Sequence, residues 1–476
     1  MPIKYGNIYL LTAAVLLLTG CSLLQKQVAA VPLPNVILIL ADDAGYADFG
    51  FMGSADIKTP NIDALAGESI RFTDAHVTAS VCSPSRAAIM TGRYQNRFGH
   101  ASNLPPYGLG MDPAERTIAD LLKTKGYATA LIGKWHLGET DPYHPNNRGF
   151  DEFYGFLGGH RSYFHNEKED VPGNAHAVLH NKKQVPFTGY LTDVWGDKAV
   201  EYIEQYKKKP FFLFLSYNAV HAPMEATPED LELFRGHPRQ KLAAMTWALD
   251  RSIGKVMDKL RKEKLEDNTL VFFLSDNGGA LSNQSSCLPL KGFKGNKFEG
   301  GHRVPFLLKW TGGGIRPGVY TGLTSSLDIC ATVLNAASVK LPADKNIDGA
   351  DLVPFIKGEK TGAPHRQLFW SRDIMAAMRQ DQYKLIQVKD YGYRLYDLGA
   401  DISETKDVSN QNNKLFESMK SDLKKWETIM PPPLWREREE WREVNHYIFT
   451  DLMNNQKPRV TSPGQLNELR KSNQIK

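Results

Sequence analysis

Residues Cys82-Ser83-Pro84-Ser85-Arg86 hold the densest chemistry in the sequence. The pattern predicts a short helix from Pro84 to Thr91, stopped by Gly92, since proline favours a helix start and glycine the position past its end. Cys82 then lies beside a helix N-terminus, where free N–H groups and the helix dipole attract anions. Arg86, one turn on, points back at the same spot. A sulfur next to an anion hole and a guanidinium suits chemistry on an oxyanion. A buried structural cysteine is the alternative.

Other chemistry-bearing side chains follow apolar runs. Val36 to Leu40 leads into Asp42 and Asp43, and Ala128 to Ile132 leads into Lys134 and His136. Phe211 to Tyr217 leads toward His221, which Ala222-Pro223 follows, and Leu270 to Leu274 leads into Asp276 and Asn277. Three carboxylates and one amide oxygen are hard ligands that suit calcium. Either pair alone reads rather as helix capping, and two such pairs, each ending a buried run, reverse that reading. Lys291, Lys294 and Lys297 lie in the glycine-rich stretch 290–305, and Lys297 reads as a surface charge. Arg97, His100 and His160 are further candidates for touching a substrate.

These residues need a scaffold that gathers them. Continuous apolar runs read as strands buried on both faces, and helical patterns such as Glu115 to Lys125 and Gln240 to Leu260 separate them. The alternation predicts an α/β fold: a large, mostly parallel central sheet flanked by helices, over 33–368. Ligands of such sheets bind beyond the carboxyl ends of the strands, where all four runs deliver their side chains. After about residue 368 the texture changes. Tyr383 to Val388 and Tyr393 to Tyr396 alternate, and Leu415, Met419, Leu423 and Trp426 recur at helical spacing. Residues 369–476 therefore read as a smaller antiparallel sheet-plus-helix subdomain and tail. Residues 436–443 read as an exposed helix, and the chain as loose from about Gln456.

Cys82 to Arg86, continued by Ala87-Ala88-Ile89-Met90-Thr91-Gly92-Arg93, resembles the Cys-x-Pro-x-Arg signature of type I sulfatases, in the alkaline phosphatase superfamily. The resemblance runs from Asn35 to about Pro305, then through Asp348-Gly349 and Leu395-Tyr396-Asp397-Leu398 with Asp401 and Glu404. It implies that Cys82 is converted to Cα-formylglycine (3-oxoalanine) by a maturating enzyme. It implies one Ca²⁺ on Asp42, Asp43, Asp276 and Asn277, with Cys82 beside it. It also implies catalytic roles for Arg86, Lys134, His136, His221 and Lys294, the lysine five residues before Glu299-Gly-Gly. The expected activity is hydrolysis of sulfate esters on a sulfated saccharide. A phosphatase or phosphonate monoester hydrolase of the same superfamily, and a non-catalytic glycan-binding protein, are the alternatives.

The chain has 476 residues, 42% hydrophobic and 23% charged, with net charge +5. No long basic stripe appears, which argues against nucleic acid as a partner. Lys4, then Ile8 to Leu18, forms a secretory signal over residues 1–20, too short for a good membrane span. Leu18-Thr19-Gly20-Cys21 resembles a bacterial lipobox, which implies lipidation of Cys21, a tether over 21–32 and a membrane-anchored envelope lipoprotein. Cys287 and Cys330 are either a disulfide or two buried thiols.

Overall fold

Five parallel strands form the centre of the sheet because their residues are apolar on both faces. These are β1 (Asn35–Ala41), β2 (Ala128–Lys134), β3 (Glu152–Phe156), β4 (Phe211–Ser216) and β5 (Thr269–Ser275). With β6 (Phe306–Lys309), antiparallel to β5, they run in the order β6-β5-β1-β4-β2-β3. Two short strands continue the sheet at each edge. The computed structural model describes residues 1, 32–103, 108–340 and 346–472. Most of the expected signal and tether, Cys21 included, lies outside the described residues. Among the described residues no helix is long and apolar enough to cross a membrane.

Register brings the strand ends level. Ala41 pairs with Ser275, Leu40 with Ser216, and Gly133 with Ser216. Asp42, Lys134 and Asp276 therefore arrive at one edge of the sheet. Gly133 makes the last pairing possible: its φ is +107°, and a Cβ there would lie 1.9 Å from the Ser216 carbonyl oxygen.

Helix α1 (Cys82–Thr91) begins two residues earlier than the sequence suggests, so Cys82 is its first residue, with Val81 as N-cap. Pro84 sits in the first turn, where its missing N–H costs no helical hydrogen bond. All ten residues are buried, and Gly92 ends the helix at φ 65°. Helices α2 (Leu191–Tyr206) and α3 (Gln240–Lys262) cover one face of the sheet. There Trp195, Ala199, Leu249 and Ile253 pack into one core with Ile37, Ile39 and Leu213. The expected 115–125 helix is confined to Ile118–Lys123, because Thr117 and Asp120 close a capping box at its start. Cys287 and Cys330 are separate buried thiols.

The C-terminal subdomain is a four-stranded antiparallel meander of β7 (Gln367–Arg372), β8 (Met375–Gln380), β9 (Tyr383–Val388) and β10 (Gly392–Asp397). It begins two residues before the expected boundary. Helix α4 (Asn413–Thr428) covers one face through Met419 and Leu423. Helices α5 (Glu439–Met453) and α6 (Pro463–Lys471) cover the other through Ile448, Phe449 and Leu466. Two expectations are corrected here. Residues 436–438 are irregular and the helix starts only at Glu439. Residues 463–471 are not loose: Ser462 caps the helix and Leu466 is buried against the sheet.

Candidate active site

Cys82 is 1% exposed and sits over a cluster of charges. Its Sγ lies 3.5 Å from Asp42 Oδ1, 3.9 Å from Asp43 Oδ1 and 3.2 Å from Lys294 Nζ. Each carboxylate contacts a cation, and Arg86 also reaches Asp42 at 3.6 Å. Lys134 Nζ is 2.5 Å from Asp42, Lys294 Nζ 2.6 Å from Asp43, and Arg86 Nε 2.8 Å from Asp276. Three cations against three buried carboxylates let the carboxylates coexist. Burial raises the Asp43 carboxyl, but Lys294, His221 and Asn277 outweigh it and hold it well below the usual range. For Asp276, burial and then Asp42 push the pKa up.

Arg86 and Lys134 are fully buried behind Cys82. Arg86 also donates to Ser216 Oγ at 2.6 Å and to the Lys134 carbonyl at 3.2 Å. It therefore acts as a brace between strand ends, and Lys294 is the cation that reaches the opening. The Asn277 amide donates to Asp43 Oδ1 at 2.8 Å, while its Oδ1 is buried without a hydrogen-bond partner. An orphaned amide oxygen beside three carboxylates is what a hard cation would satisfy. Ligand atoms of Asp42, Asp43, Cys82 and His221 lie within 4.8 Å of one another, so the residues present fit a metal ion.

A cavity of about 420 Å³ opens above Cys82, lined by His136, His160, His176, His221, Glu139, Asn103 and Lys294, with Arg438. His221 Nδ1 lies 2.6 Å from the Ala222 carbonyl, which leaves Nε2 facing Asp43 Oδ2 at 3.5 Å. The Tyr163 hydroxyl fixes this turn, its one proton shared between the carbonyl oxygens of Asn218 at 2.5 Å and His221 at 2.8 Å. Burial pushes His221 down to about 4, against the pull of Asp43, so the resting imidazole is neutral. His136, at φ 60°, is held far below its usual value by burial and then by Lys134. Its Nδ1 is buried without a partner. Burial also raises the Cys82 thiol, and Asp276 adds to this, so a thiolate is disfavoured.

Residues 34–339 match the family model "Sulfatase", and 294–428 match "N-sulphoglucosamine sulphohydrolase, C-terminal". The chain belongs to the sulfatase family. It is 35% identical to N-acetylgalactosamine-6-sulfatase of Canis lupus familiaris over 74% of this chain and 71% of the relative. It is 33% identical to an arylsulfatase of Hemicentrotus pulcherrimus over 76% of this chain and 69% of the relative. Among solved structures, Ps i-CgsB in complex with k-i-k-neocarrahexaose superposes with a TM-score of 0.81 at 39% identity, covering 88% of this chain and 98% of that one. The protein is a sulfuric ester hydrolase.

The sulfatase loop that presents Lys294 is held from both sides. Lys294 N–H donates to the Gly279 carbonyl and Gly295 N–H to the Ser80 carbonyl. Gly300 is needed for closeness, since a Cβ there would lie 2.5 Å from the Gly292 carbonyl oxygen. On the far side Phe298 is part of the C-terminal core. Lys384 of β9, fully buried, contacts Glu299 at 2.8 Å and Glu404 at 2.9 Å. Glu404 accepts the Glu299 N–H at 2.7 Å. Removing one member of a buried ion network leaves an unpaired charge. Lys384→Ala is expected to lower unfolding free energy by about 3–5 kcal/mol in a denaturant titration. It is also expected to reduce activity, because the Lys294 loop loses its backing.

Several sequence expectations change. Lys297 is not a surface charge: it is 1% exposed, its Nζ donates to Ser80 Oγ at 3.0 Å, and burial depresses its pKa strongly. His100 does not line the cavity. It is fully buried, pushed down to about 3 by burial, with Nε2 2.7 Å from Ser83 Oγ. Since Ser83 Oγ also donates to the His136 carbonyl, His100 braces the start of α1. Arg97 forms a bidentate pair with Asp348 and does not line the cavity. His160 does line it. Glu139, Asn103, His176 and Arg438 also line it, though no motif in the sequence marks them. Glu139 was within reach, three residues after His136 on the same strand exit. Arg438 carries no local signal.

Proposed function

We propose that this sulfatase releases sulfate from sulfated carbohydrate, using formylglycine made from Cys82 and one Ca²⁺ held by Asp42, Asp43, Asp276 and Asn277. The observation that carries the reading is the state of Cys82: buried against three carboxylates, its thiol is a poor nucleophile where the chemistry must occur. Its position is apt for a different nucleophile. Converted to an aldehyde and hydrated, it offers two hydroxyls: one attacks sulfur, and the other, on losing its proton, lets sulfate go. A divalent cation supplies Lewis-acid polarisation and a lowered pKa for a ligated oxygen.

The chain's own residues do the rest. Lys294, whose charge Asp43 sustains against burial, offsets the sulfate charge at the opening. Lys134 and Arg86 hold Asp42 and Asp276 from behind. A sulfate anion beside His221 favours its protonated form, and the imidazolium donates to the departing oxygen. Neutral His136 is the base for the second hydroxyl. The carbohydrate reading is supported by the cavity, far roomier than a sulfate group alone needs, by a relative named N-acetylgalactosamine-6-sulfatase and by a neighbour in complex with k-i-k-neocarrahexaose. An exported lipoprotein anchored through Cys21 in a bacterial envelope completes the proposal, and fractionation of wild type against Cys21→Ala checks that part.

The test is sulfate release over defined sulfated galactose, N-acetylgalactosamine and glucosamine saccharides, with aryl sulfate and aryl phosphate in parallel. Saccharide desulfation well above aryl phosphate hydrolysis is expected. Faster hydrolysis of the phosphate ester would sink the assignment in favour of a phosphatase.

A further inference from the structure

The cations nearest the nucleophile are all spoken for. Lys134, Lys294 and Arg86 each contact a carboxylate. Arg438 differs. It lines the same cavity, is exposed, and its guanidinium has no ion-pair or hydrogen-bond partner among the described residues. Glu139 is the one carboxylate among the residues lining the cavity, and no ion pair joins it to Arg438.

Arg438 is nonetheless well placed. The segment before it is strapped across the loop that follows α1. Leu434 N–H donates to the Gly99 carbonyl at 2.9 Å. Trp435 is buried, its indole N–H donates to the Asn103 carbonyl at 2.7 Å, and its ring meets His100 edge-on at 4.7 Å. Glu437 is ion-paired with Arg372 of β7. Arg438 itself is the N-cap residue of α5. Its backbone is thus fixed from both sides while its side chain projects free, and little backbone entropy remains to be lost when it engages a ligand.

Exposure distinguishes Arg438 from the groups around Cys82. The sulfur under attack must approach Cys82, which is 1% exposed, at the floor of the cavity. Arg438, which lines the same cavity, is exposed. A planar guanidinium fork without a protein partner matches the paired oxygens of a sulfate or carboxylate.

We propose that Arg438 binds a second oxyanion of the saccharide, a further sulfate ester or a uronate carboxylate, and so makes the enzyme selective for multiply anionic chains. This rests on the sulfated-saccharide reading above.

The test compares wild type, Arg438→Ala and Arg438→Lys. The probes are N-acetylgalactosamine 4-sulfate, 6-sulfate and 4,6-disulfate, and galactose-containing disaccharides with one sulfate, two sulfates, or one sulfate and a uronate. Arg438→Ala is expected to lower kcat/KM about 10- to 100-fold on doubly anionic probes, mainly through KM, and no more than about threefold on singly anionic ones. Arg438→Lys should recover part of the preference. Comparing the disulfated and uronate arms identifies the anion that is read. An equal loss on both probe classes, or no loss on either, overturns the inference while leaving the saccharide reading intact. Failure of wild type to desulfate any of these saccharides overturns both.

Discussion

Replacing Cys82 by Ala is expected to reduce sulfate release by about 10⁵-fold or more, with melting temperature close to wild type. The side chain is small, and its nearest partners, Asp42 Oδ1 at 3.5 Å and Lys294 Nζ at 3.2 Å, keep their carboxylate–cation pairing without it. The loss therefore reports chemistry rather than folding. Cys82→Ser separates mechanisms more sharply. A serine hydroxyl in this position attacks sulfur but has no second hydroxyl through which to expel it. One equivalent of sulfate should be captured and turnover should stall, seen as a stoichiometric burst of desulfated product. Steady turnover by Cys82→Ser would sink the aldehyde mechanism. Mass spectrometry of the tryptic peptide Phe72–Arg86 of wild type checks directly for the aldehyde.

Exhaustive chelation, or Asp43→Asn, is expected to lower kcat by about 10³-fold, the scale of several kcal/mol of Lewis-acid stabilisation. The mutation acts twice, since Asp43 contacts both Asn277 and Lys294. Chelation should cost activity far more than stability. The three carboxylates are already matched by Arg86, Lys134 and Lys294, so the site without metal stays charge-balanced. Calcium added back should restore activity and raise the melting temperature of wild type more than that of Asp43→Asn. Full activity in a metal-free preparation would remove calcium from the mechanism.

The site was legible wherever chemistry follows a buried strand directly. Asp42, Asp43, Lys134, His136, Asp276 and Asn277 each come within four residues of such a run, and parallel register did the rest. Lys294 has no such local signal; only the resemblance of its loop to the sulfatase segment, with a lysine five residues before Glu299-Gly-Gly, marks it among the three lysines there. Misreadings arose where burial depends on distant segments. Lys297 looks like any loop lysine until Ser80 and the C-terminal subdomain enclose it. His100 looks free until Trp435, 335 positions later, closes over it.

By itself the sequence determined the parallel α/β scaffold, the cysteine at a helix start and the carboxylates at strand ends. Those features are local: apolar runs, capping preferences and short spacings act within a few residues. Only the tertiary structure decided which cations pair with which carboxylates, that Arg86 braces the site from behind, and that Lys384 backs the Lys294 loop. It alone brought Arg438 to the cavity over Cys82. Such pairings join segments hundreds of residues apart, and no local propensity encodes them. They follow from the register of the central sheet and the docking of the C-terminal meander against it, which together set the distances at which these charges meet.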